Sequence, residues 1–213
     1  MGLCIIPARG GSKRLPRKNM LRVNGKSLMS LAIRTAINCK CFDKVIVSSE
    51  DEQILKEAGE FGVKRPVELA SDTAQIKDVC MHLLKSYDCE WFAVMVPTNP
   101  FRQPQDIDDA FKLYNKYNDG VISLVPYAEY PEKALCVGDY VKPYFGYDKM
   151  VPAQQLKRLY YHAGYIIFLR TETFLRENEL FLSRSVPWFT PMSRVCDIDT
   201  PEDLAEARGR YGY

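Results

Sequence analysis

The stretch LCIIPARGGSKRLPRKN, at residues 3–19, combines an apolar run with a basic, glycine-containing loop. Its first four residues are apolar, which is typical of a strand buried on both faces of a parallel sheet. Glycine, proline and cations follow, and Gly10 and Gly11 are expected to take positive φ so that backbone amides point at a ligand. The cations of this loop are Arg9, Lys13, Arg14, Arg17 and Lys18. Such a loop suits a triphosphate.

The loop matches neither of two common phosphate-binding motifs. It lacks the Gly-Lys-Ser/Thr of a Walker A sequence and the Gly-x-Gly-x-x-Gly of a dinucleotide fold. Its composition alone fits a phosphate-binding loop and a solvated basic turn equally well, since runs of charge usually face water.

The composition predicts one domain over residues 1–213 with a full core. Charged residues make up 26% and the net charge is only +2, which argues against a nucleic-acid partner. No apolar run approaches the roughly 20 residues of a membrane span, and a strand expected directly after Met1 leaves no room for a signal peptide. Seven cysteines without a Cys-x-x-Cys pair are expected to be reduced thiols, so we expect a cytoplasmic protein with no membrane partner.

Apolar runs alternate with stretches of helical spacing along most of the chain. This alternation predicts an α/β, Rossmann-like sandwich with a mostly parallel sheet and helices on both faces. Ligands bind such sheets beyond the carboxyl ends of the strands. Ser27 and Thr200 are expected to cap the first and last helices. Strands are expected at 3–6, 44–48, 91–96, 120–125, 163–169 and 194–199, and helices begin near residues 28, 49, 75, 104, 171 and 200.

The alternation of strand and helix patterns stops between residues 126 and 161, which are rich in tyrosine and proline. A stretch this long without clear elements is usually a lid, a binding loop or an interface arm. Its aromatic residues favour an arm that forms a homodimer at least as much as a lid.

Asp197 and Asp199 are two residues apart on an expected strand, so their carboxylates should point to the same side. Magnesium accepts one or two carboxylates, with substrate phosphate and water completing its shell. The alternative is that Asp199 merely precedes a helix cap and Asp197 pairs with an arginine. The spacing alone leaves both interpretations open.

The order of residues in the opening stretch resembles the signature of the cytidylyltransferases that activate sialic acid and related nonulosonic acids as CMP-sugars. Asp-Ile-Asp-Thr at residues 197–200 resembles the metal motif of that family, and residues 65–72 and 97–102 resemble two further segments in the same order. Gln154-Gln155 and Gly164 also fall where the family has Gln-Gln and a glycine. The resemblance covers residues 3 to about 207.

The resemblance implies a Mg²⁺-dependent transfer of CMP from CTP to a keto-sugar acid in a homodimeric enzyme. The catalytic residues would be Arg9, Lys13, Lys18 and Asp199, and Mg²⁺ would be bound by Asp197 and Asp199. The CTP site would comprise Ala8, Arg9, Gly10, Gly11, Ser12, Lys13, Asn19, Arg65, Asp72, Thr73 and Ala74. The sugar site would comprise Val96, Thr98, Arg102, Gln154, Gln155 and Gly164.

Two departures from the family pattern fall on the sugar side. Val96 replaces a glutamine associated with the acyl sugar, and valine has no side-chain hydrogen bond to offer. Ala163 replaces an asparagine. Pseudaminic acid, legionaminic acid or another nine-carbon keto acid therefore stays open as the acceptor beside sialic acid. Kdo transfer and a non-catalytic nucleotide-binding protein are the alternatives.

Single residues also have simpler interpretations. Taken alone, Arg65 and Arg102 would be surface cations. His162 would be a packed or solvent-facing ring, because no nucleophile or orienting carboxylate accompanies it in sequence.

Overall fold

A computed structural model describes residues 1–211, which form a central mixed sheet with helices on both faces. The strands of this sheet are β1 (Gly2–Pro7), β4 (Lys44–Ser49), β5 (Gly62–Lys64), β6 (Trp91–Val94), β7 (Gly120–Pro126), β10 (Tyr160–Tyr161), β11 (Ile167–Arg170) and β12 (Ser185–Phe189). Their order across the sheet is β10-β7-β11-β6-β1-β4-β5, with β12 beside β7. Two small hairpins are separate from it: β2 (Arg22–Val23) with β3 (Lys26–Ser27), and β8 (Leu135–Val137) with β9 (Val141–Pro143).

Parallel pairing holds β4, β1 and β6 together, while β11 runs antiparallel to both β6 and β7. The helices are α1 (Leu28–Ile37), α2 (Glu52–Ala58), α3 (Ile76–Leu84), α4 (Pro104–Tyr117), α5 (Thr171–Glu177) and α6 (Pro201–Arg210). The predicted fold class is confirmed.

Strand β1 is buried on both faces, as its apolar run predicts. Cys4 and Ile6 pack in a core cluster that includes residues of α1, α2 and α4. Leu3 and Ile5 belong to the opposite cluster, which includes residues of α3 and α5. The end of β1 is thereby fixed at the centre of the sheet, where the basic loop begins.

The predicted caps are present. The Ser27 hydroxyl accepts from the Ser30 amide at 3.0 Å at the start of α1. Thr200 and Asp203 form a reciprocal capping box at the start of α6, with Pro201 as its first residue. These contacts depend on neighbours in sequence, which is why the sequence predicts them.

The strand predicted at residues 194–199 is wrong. A short 3₁₀ turn covers Met192–Arg194, and the following residues run without a ladder partner in the described chain. The Ile198 amide donates to the Thr98 carbonyl at 3.0 Å, and the Asp199 amide donates to the Asp203 carboxylate at 2.9 Å. The Ile198 amide therefore holds the segment against Thr98, and the Asp199 amide bonds to the residue that caps the last helix, so neither joins a sheet.

Residues 126–161 leave the sheet as an arm, which carries the β8–β9 hairpin and returns at β10. The exposed large apolar side chains of the hairpin region are Leu135, Val137, Tyr140, Val141, Tyr144, Phe145 and Tyr147. Within residues 1–211, every helix is too short or too polar to cross a membrane.

Candidate active site

A cleft of about 460 Å³ opens at the carboxyl ends of β1 and β6. Pro7 ends β1, and Val96 to Thr98 follow β6; all of them line the cleft. This is the position at which parallel sheets bind ligands. The cleft also brings together many of the predicted site residues, namely Arg9, Lys18, Asn19, Arg65, Asp72, Ala74, Val96, Thr98, Gly164, Asp197 and Asp199.

The two glycines of the basic loop act differently from the prediction. Neither is among the positive-φ residues, so that expectation is wrong; Arg17 takes the left-handed conformation instead, with φ 54°. Gly10 is needed for space, since a Cβ there would lie 2.5 Å from the Asp51 carboxylate. A Cβ on Gly11 would meet nothing within 4 Å.

Glu50 holds the base of this loop. Its carboxylate accepts from the Gly10 amide at 2.8 Å and pairs with Arg65 at 2.9 Å. Arg65 is only 4% exposed, so the interpretation of it as a surface cation is wrong. Glu50 was missed because the contact joins residues 40 and 15 positions apart, and no local pattern signals it.

Asp72 faces the cations of the loop across a second depression of about 390 Å³, which Ser12 also lines. Its carboxylate pairs with Lys13 and lies 3.5 Å from the Arg9 guanidinium. A hydrogen bond from Lys13 is the main cause of a lowered Asp72 pKa. Since these side chains are well exposed, the pairs are weak and can rearrange around an anion.

Three other residues that were predicted to bind CTP either bond to the loop backbone, are buried behind the cleft or lie at its edge. Asn19 is buried, and its amide donates to the Arg9 carbonyl at 2.9 Å, which fixes the start of the loop. Ala8 is fully buried at the end of β1 and does not line the cleft. Thr73 is exposed at the edge of the cleft, and its hydroxyl lies 3.3 Å from the Ser71 hydroxyl.

Asp199 lines the cleft and joins the basic loop to the C-terminal segment. Its carboxylate pairs with Lys18 and accepts from Arg14 at 2.6 Å. Its backbone amide is held by Asp203, whose capping contact thereby orients it.

Asp197 lines the same cleft and is close enough to Asp199 to feel its charge. Partial desolvation raises the pKa of Asp197, and the charge of Asp199 adds to this shift, although a hydrogen bond from Thr98 opposes it. Its Oδ2 lies 3.9 Å from where a Cβ of Gly164 would be. Two carboxylates that line one cleft fit the donor set that Mg²⁺ uses alongside phosphate and water.

Gly164 has φ +65°, and a Cβ on it would lie 2.7 Å from Val96 Cγ2. Glycine is therefore required at this point both by conformation and by space. Val96 and Thr98 line the cleft beside it, as the resemblance implies.

Arg102 is 3% exposed and does not line the cleft. Its guanidinium donates to the Tyr165, Val96 and Gly164 carbonyls at 2.6, 2.9 and 2.9 Å. Burial lowers its pKa to about 10. Both earlier interpretations, a direct sugar contact and a surface cation, are therefore corrected: Arg102 positions the backbone behind the cleft.

Gln154 and Gln155 are exposed in a 3₁₀ turn on the arm and do not line the cleft of their own chain. Their predicted contact with the sugar is not formed within one chain, because the arm extends away from the sheet.

His162 lines the cleft, although no motif in the sequence predicts it there. Its Nδ1 lies 2.9 Å from the Ser123 carbonyl, and burial lowers its pKa. The only usable signal was its position two residues before Gly164.

Comparisons with known proteins agree with this geometry. The sequence model of the Cytidylyltransferase family matches residues 3–207. Pseudaminic acid cytidylyltransferase of Campylobacter jejuni is 32% identical, over 98% of this chain and 95% of that protein. N-acylneuraminate cytidylyltransferase of Streptococcus agalactiae is 35% identical over 99% of this chain, which spans 53% of that protein. CMP-N,N'-diacetyllegionaminic acid synthase of Legionella pneumophila is 30% identical over 95% of this chain and 93% of that protein.

A solved structure of CMP:2-keto-3-deoxy-manno-octonic acid synthetase complexed with CTP has the same fold. Its TM-score is 0.70 at 16% identity, over 98% of this chain and 97% of that one. The predicted resemblance is confirmed: this chain belongs to the cytidylyltransferase family.

Proposed function

We propose that the chain transfers CMP from CTP to a nonulosonic acid and releases pyrophosphate. The proposal rests on one cleft at the carboxyl end of the sheet that is lined both by cations of the basic loop and by the carboxylates of Asp197 and Asp199. The relatives at 30–35% identity are named for acids of this class.

The anomeric hydroxyl of the acid would lose its proton to solvent and its oxygen would attack the α-phosphorus of CTP. The bond from that phosphorus to the oxygen bridging the α- and β-phosphates would break, and this oxygen would leave with pyrophosphate. Phosphoryl transfer of this kind depends on positioning and charge neutralisation. Arg9, Lys13 and Lys18 would bind the triphosphate and stabilise the leaving pyrophosphate. In the structure these cations pair with Asp72 and Asp199, so nucleotide binding would exchange one anion for another.

The nucleoside would lie on the same side as the loop. Arg65, held by Glu50, and the turn at residues 72–74 line or border that end of the cleft. We place the base and ribose there.

Asp197 and Asp199 would hold Mg²⁺. Within residues 1–211 no group of three or more His, Cys, Asp or Glu side chains forms a protein-only metal site. Mg²⁺ needs none, because it commonly takes one or two carboxylates with substrate phosphate and water. When bound there, the ion would neutralise phosphate charge and acidify the attacking hydroxyl.

The acceptor would be pseudaminic, legionaminic or sialic acid, and Val96 is the residue that leaves the choice open. Kdo is the alternative, but the likeness to its synthetase is at 16% identity and extends to the fold only. A non-catalytic protein is disfavoured because both aspartates are present.

The test is to incubate the protein with CTP, Mg²⁺ and each of N-acetylneuraminate, pseudaminate, legionaminate and Kdo, and to measure pyrophosphate release. We expect release with one nonulosonic acid and its loss on chelation of Mg²⁺. Silence with all four acids, together with no CTP binding, would contradict the proposal.

We also propose that the arm forms a homodimer. Exposed aromatic and aliphatic side chains are concentrated on the β8–β9 hairpin, and such patches mark interaction surfaces. The Tyr144 amide donates to the Ala134 carbonyl at 2.8 Å, so residues 135–143 can be replaced by Gly-Gly without separating these ends. Light scattering should then report a monomer, whereas Tyr117→Ser, outside the arm, should leave a dimer. A dimer in the shortened chain would contradict the proposal.

We place the reaction in the cytoplasm. All seven cysteines are free thiols, which suits a reducing compartment. Cell fractionation with detection of the tagged protein tests this, and recovery outside the cytoplasmic fraction would contradict it.

A further inference from the structure

His162 has no role in the mechanism above, yet it lines the cleft on the sugar side. It directly follows β10 and lies two residues before Gly164. Its ring is half-buried and packs edge-on against Phe181, with centroids 5.7 Å apart. The ring is therefore held in place, and its two nitrogens have separate environments.

The hydrogen-bond geometry assigns the tautomer of this ring. Nδ1 lies 2.9 Å from the Ser123 carbonyl oxygen, which can only accept. The contact is favourable only if Nδ1 carries the proton. The Ser123 hydroxyl, 3.2 Å from the same nitrogen, already accepts from the Ile166 amide at 2.9 Å. In the neutral ring Nε2 is then an acceptor.

Nε2 has no hydrogen-bond partner among residues 1–211 and is not enclosed in the core. Because Nδ1 is held by Ser123 and His162 lines the cleft, Nε2 is the ring nitrogen left to bond a molecule bound there. Val96 lines the same cleft and offers a substrate no hydrogen bond from its side chain. His162 thus supplies polar recognition on a side of the cleft where Val96 cannot.

We propose that His162 is a specificity residue for the acceptor acid, with Nε2 accepting a hydrogen bond from an O–H or N–H group of the bound sugar. The inference rests on the proposed function, because it names a contact to the substrate of that reaction. It predicts an effect on binding of the acid and none on binding of CTP.

Three substitutions of His162 distinguish the contributions of its two ring nitrogens. His162→Asn places an amide near the Nδ1 position, so it can keep the bond to Ser123 but offers no acceptor at the Nε2 position. His162→Gln reaches the Nε2 position with its amide oxygen and gives up the bond to Ser123. His162→Phe loses both. The control is His82→Gln, which changes the only other histidine, on α3 away from the cleft.

With the acid that the wild type uses best, we expect the KM for the acid to rise about tenfold in the Asn and Phe variants, the size of one lost hydrogen bond. The Gln variant should stay within about threefold. The KM for CTP should not change in any of them. Equal KM values for the acid in all variants, or loss in Gln with none in Asn, would overturn the proposal.

A measurement on the unmodified protein keeps the inference testable if a variant misfolds. With only two histidines, ¹⁵N spectra of histidine-labelled protein resolve both rings, and His82→Gln assigns them. His162 should show a protonated Nδ1 and a bare Nε2, and addition of the acid to the CTP complex should shift Nε2. A protonated Nε2, or no shift at saturating acid, would contradict the assignment. A wild type that turns over no acid would count against the proposed function instead.

Discussion

The nucleotide wall (residues 8–19 and 65–74) and the arm (residues 126–161) differ in what holds them. In the nucleotide wall, charged side chains find partners within the chain: Glu50 for Arg65, Asp72 for Lys13, Asp199 for Lys18. In the arm, Val137 is 82% and Tyr140 87% exposed.

The contrast indicates how the cleft is completed. One chain builds the nucleotide wall and the carboxylates that pair with its cations, so we expect that CTP binding does not need the arm of a second chain. The arm carries Gln154 and Gln155, and its apolar side chains lack cover in one chain. We therefore expect substitutions in the nucleotide wall to act on turnover and stability of the single chain, and changes in the arm to act on assembly.

The largest effect is expected from Asp199→Asn. The change removes a charge that pairs with Lys18 and that we assign to Mg²⁺ binding, so kcat should fall by about 10² to 10³. Steady-state kinetics at saturating CTP and acid measure this. The matched control is Asp148→Asn on the arm, whose carboxylate pairs with exposed Lys149. An equal loss in both variants would remove the distinction between the two regions.

Glu50→Gln should cost the fold about 3 kcal/mol, because it leaves the buried Arg65 guanidinium without its counter-charge. Urea unfolding followed by circular dichroism gives the free energy of unfolding. Glu52→Gln breaks an exposed pair with Lys64 and should cost less than about 0.5 kcal/mol. If Glu50→Gln were equally mild, the nucleotide wall would not depend on this pair.

Gly164→Ala should cost about 2 kcal/mol, since φ is +65° and the new Cβ would meet Val96. Gly11→Ala, in open space and without positive φ, is the control and should be nearly neutral. Adding Val96→Ala should recover the steric part of the loss. Full recovery would show that backbone strain contributes nothing.

The smallest effect concerns Asp203, which caps α6 and holds the Asp199 amide. Burial opposes its ionisation, but bonds from the Asp199 and Thr200 amides outweigh this and lower its pKa. Because the folded-state pKa lies below the ordinary value of 3.8, its carboxylate stabilises the fold above that pH and loses this effect as pH falls. Asp203→Asn should therefore cost about 1 kcal/mol at pH 7 and progressively less below pH 3.8. A pH-independent difference in urea unfolding would contradict this.

Local patterns predicted the parts of the fold that depend on neighbours in sequence. The apolar residues 3–6 predicted β1, and Ser27 and Thr200 predicted helix starts. A strand was predicted at residues 194–199, yet the amides of Ile198 and Asp199 bond to Thr98 and Asp203. The path of this segment depends on tertiary contacts that its own residues do not encode.

The same limit applies to the site. The loop cations and the two aspartates were predictable because they stand in a recognisable order. Glu50 and the position of Arg102 were not, since each depends on residues brought close only by folding. His162 differs again, because its chemistry depends on the Ser123 carbonyl that selects its tautomer.

We expect this cleft to join CMP to a nonulosonic acid, and mass spectrometry of the reaction products detects that conjugate itself. The wild type with CTP, Mg²⁺ and the four acids should give the CMP conjugate of one nonulosonic acid, and Asp199→Asn should give none in the same time. Pyrophosphate without a conjugate, or a conjugate of Kdo alone, would contradict the claim.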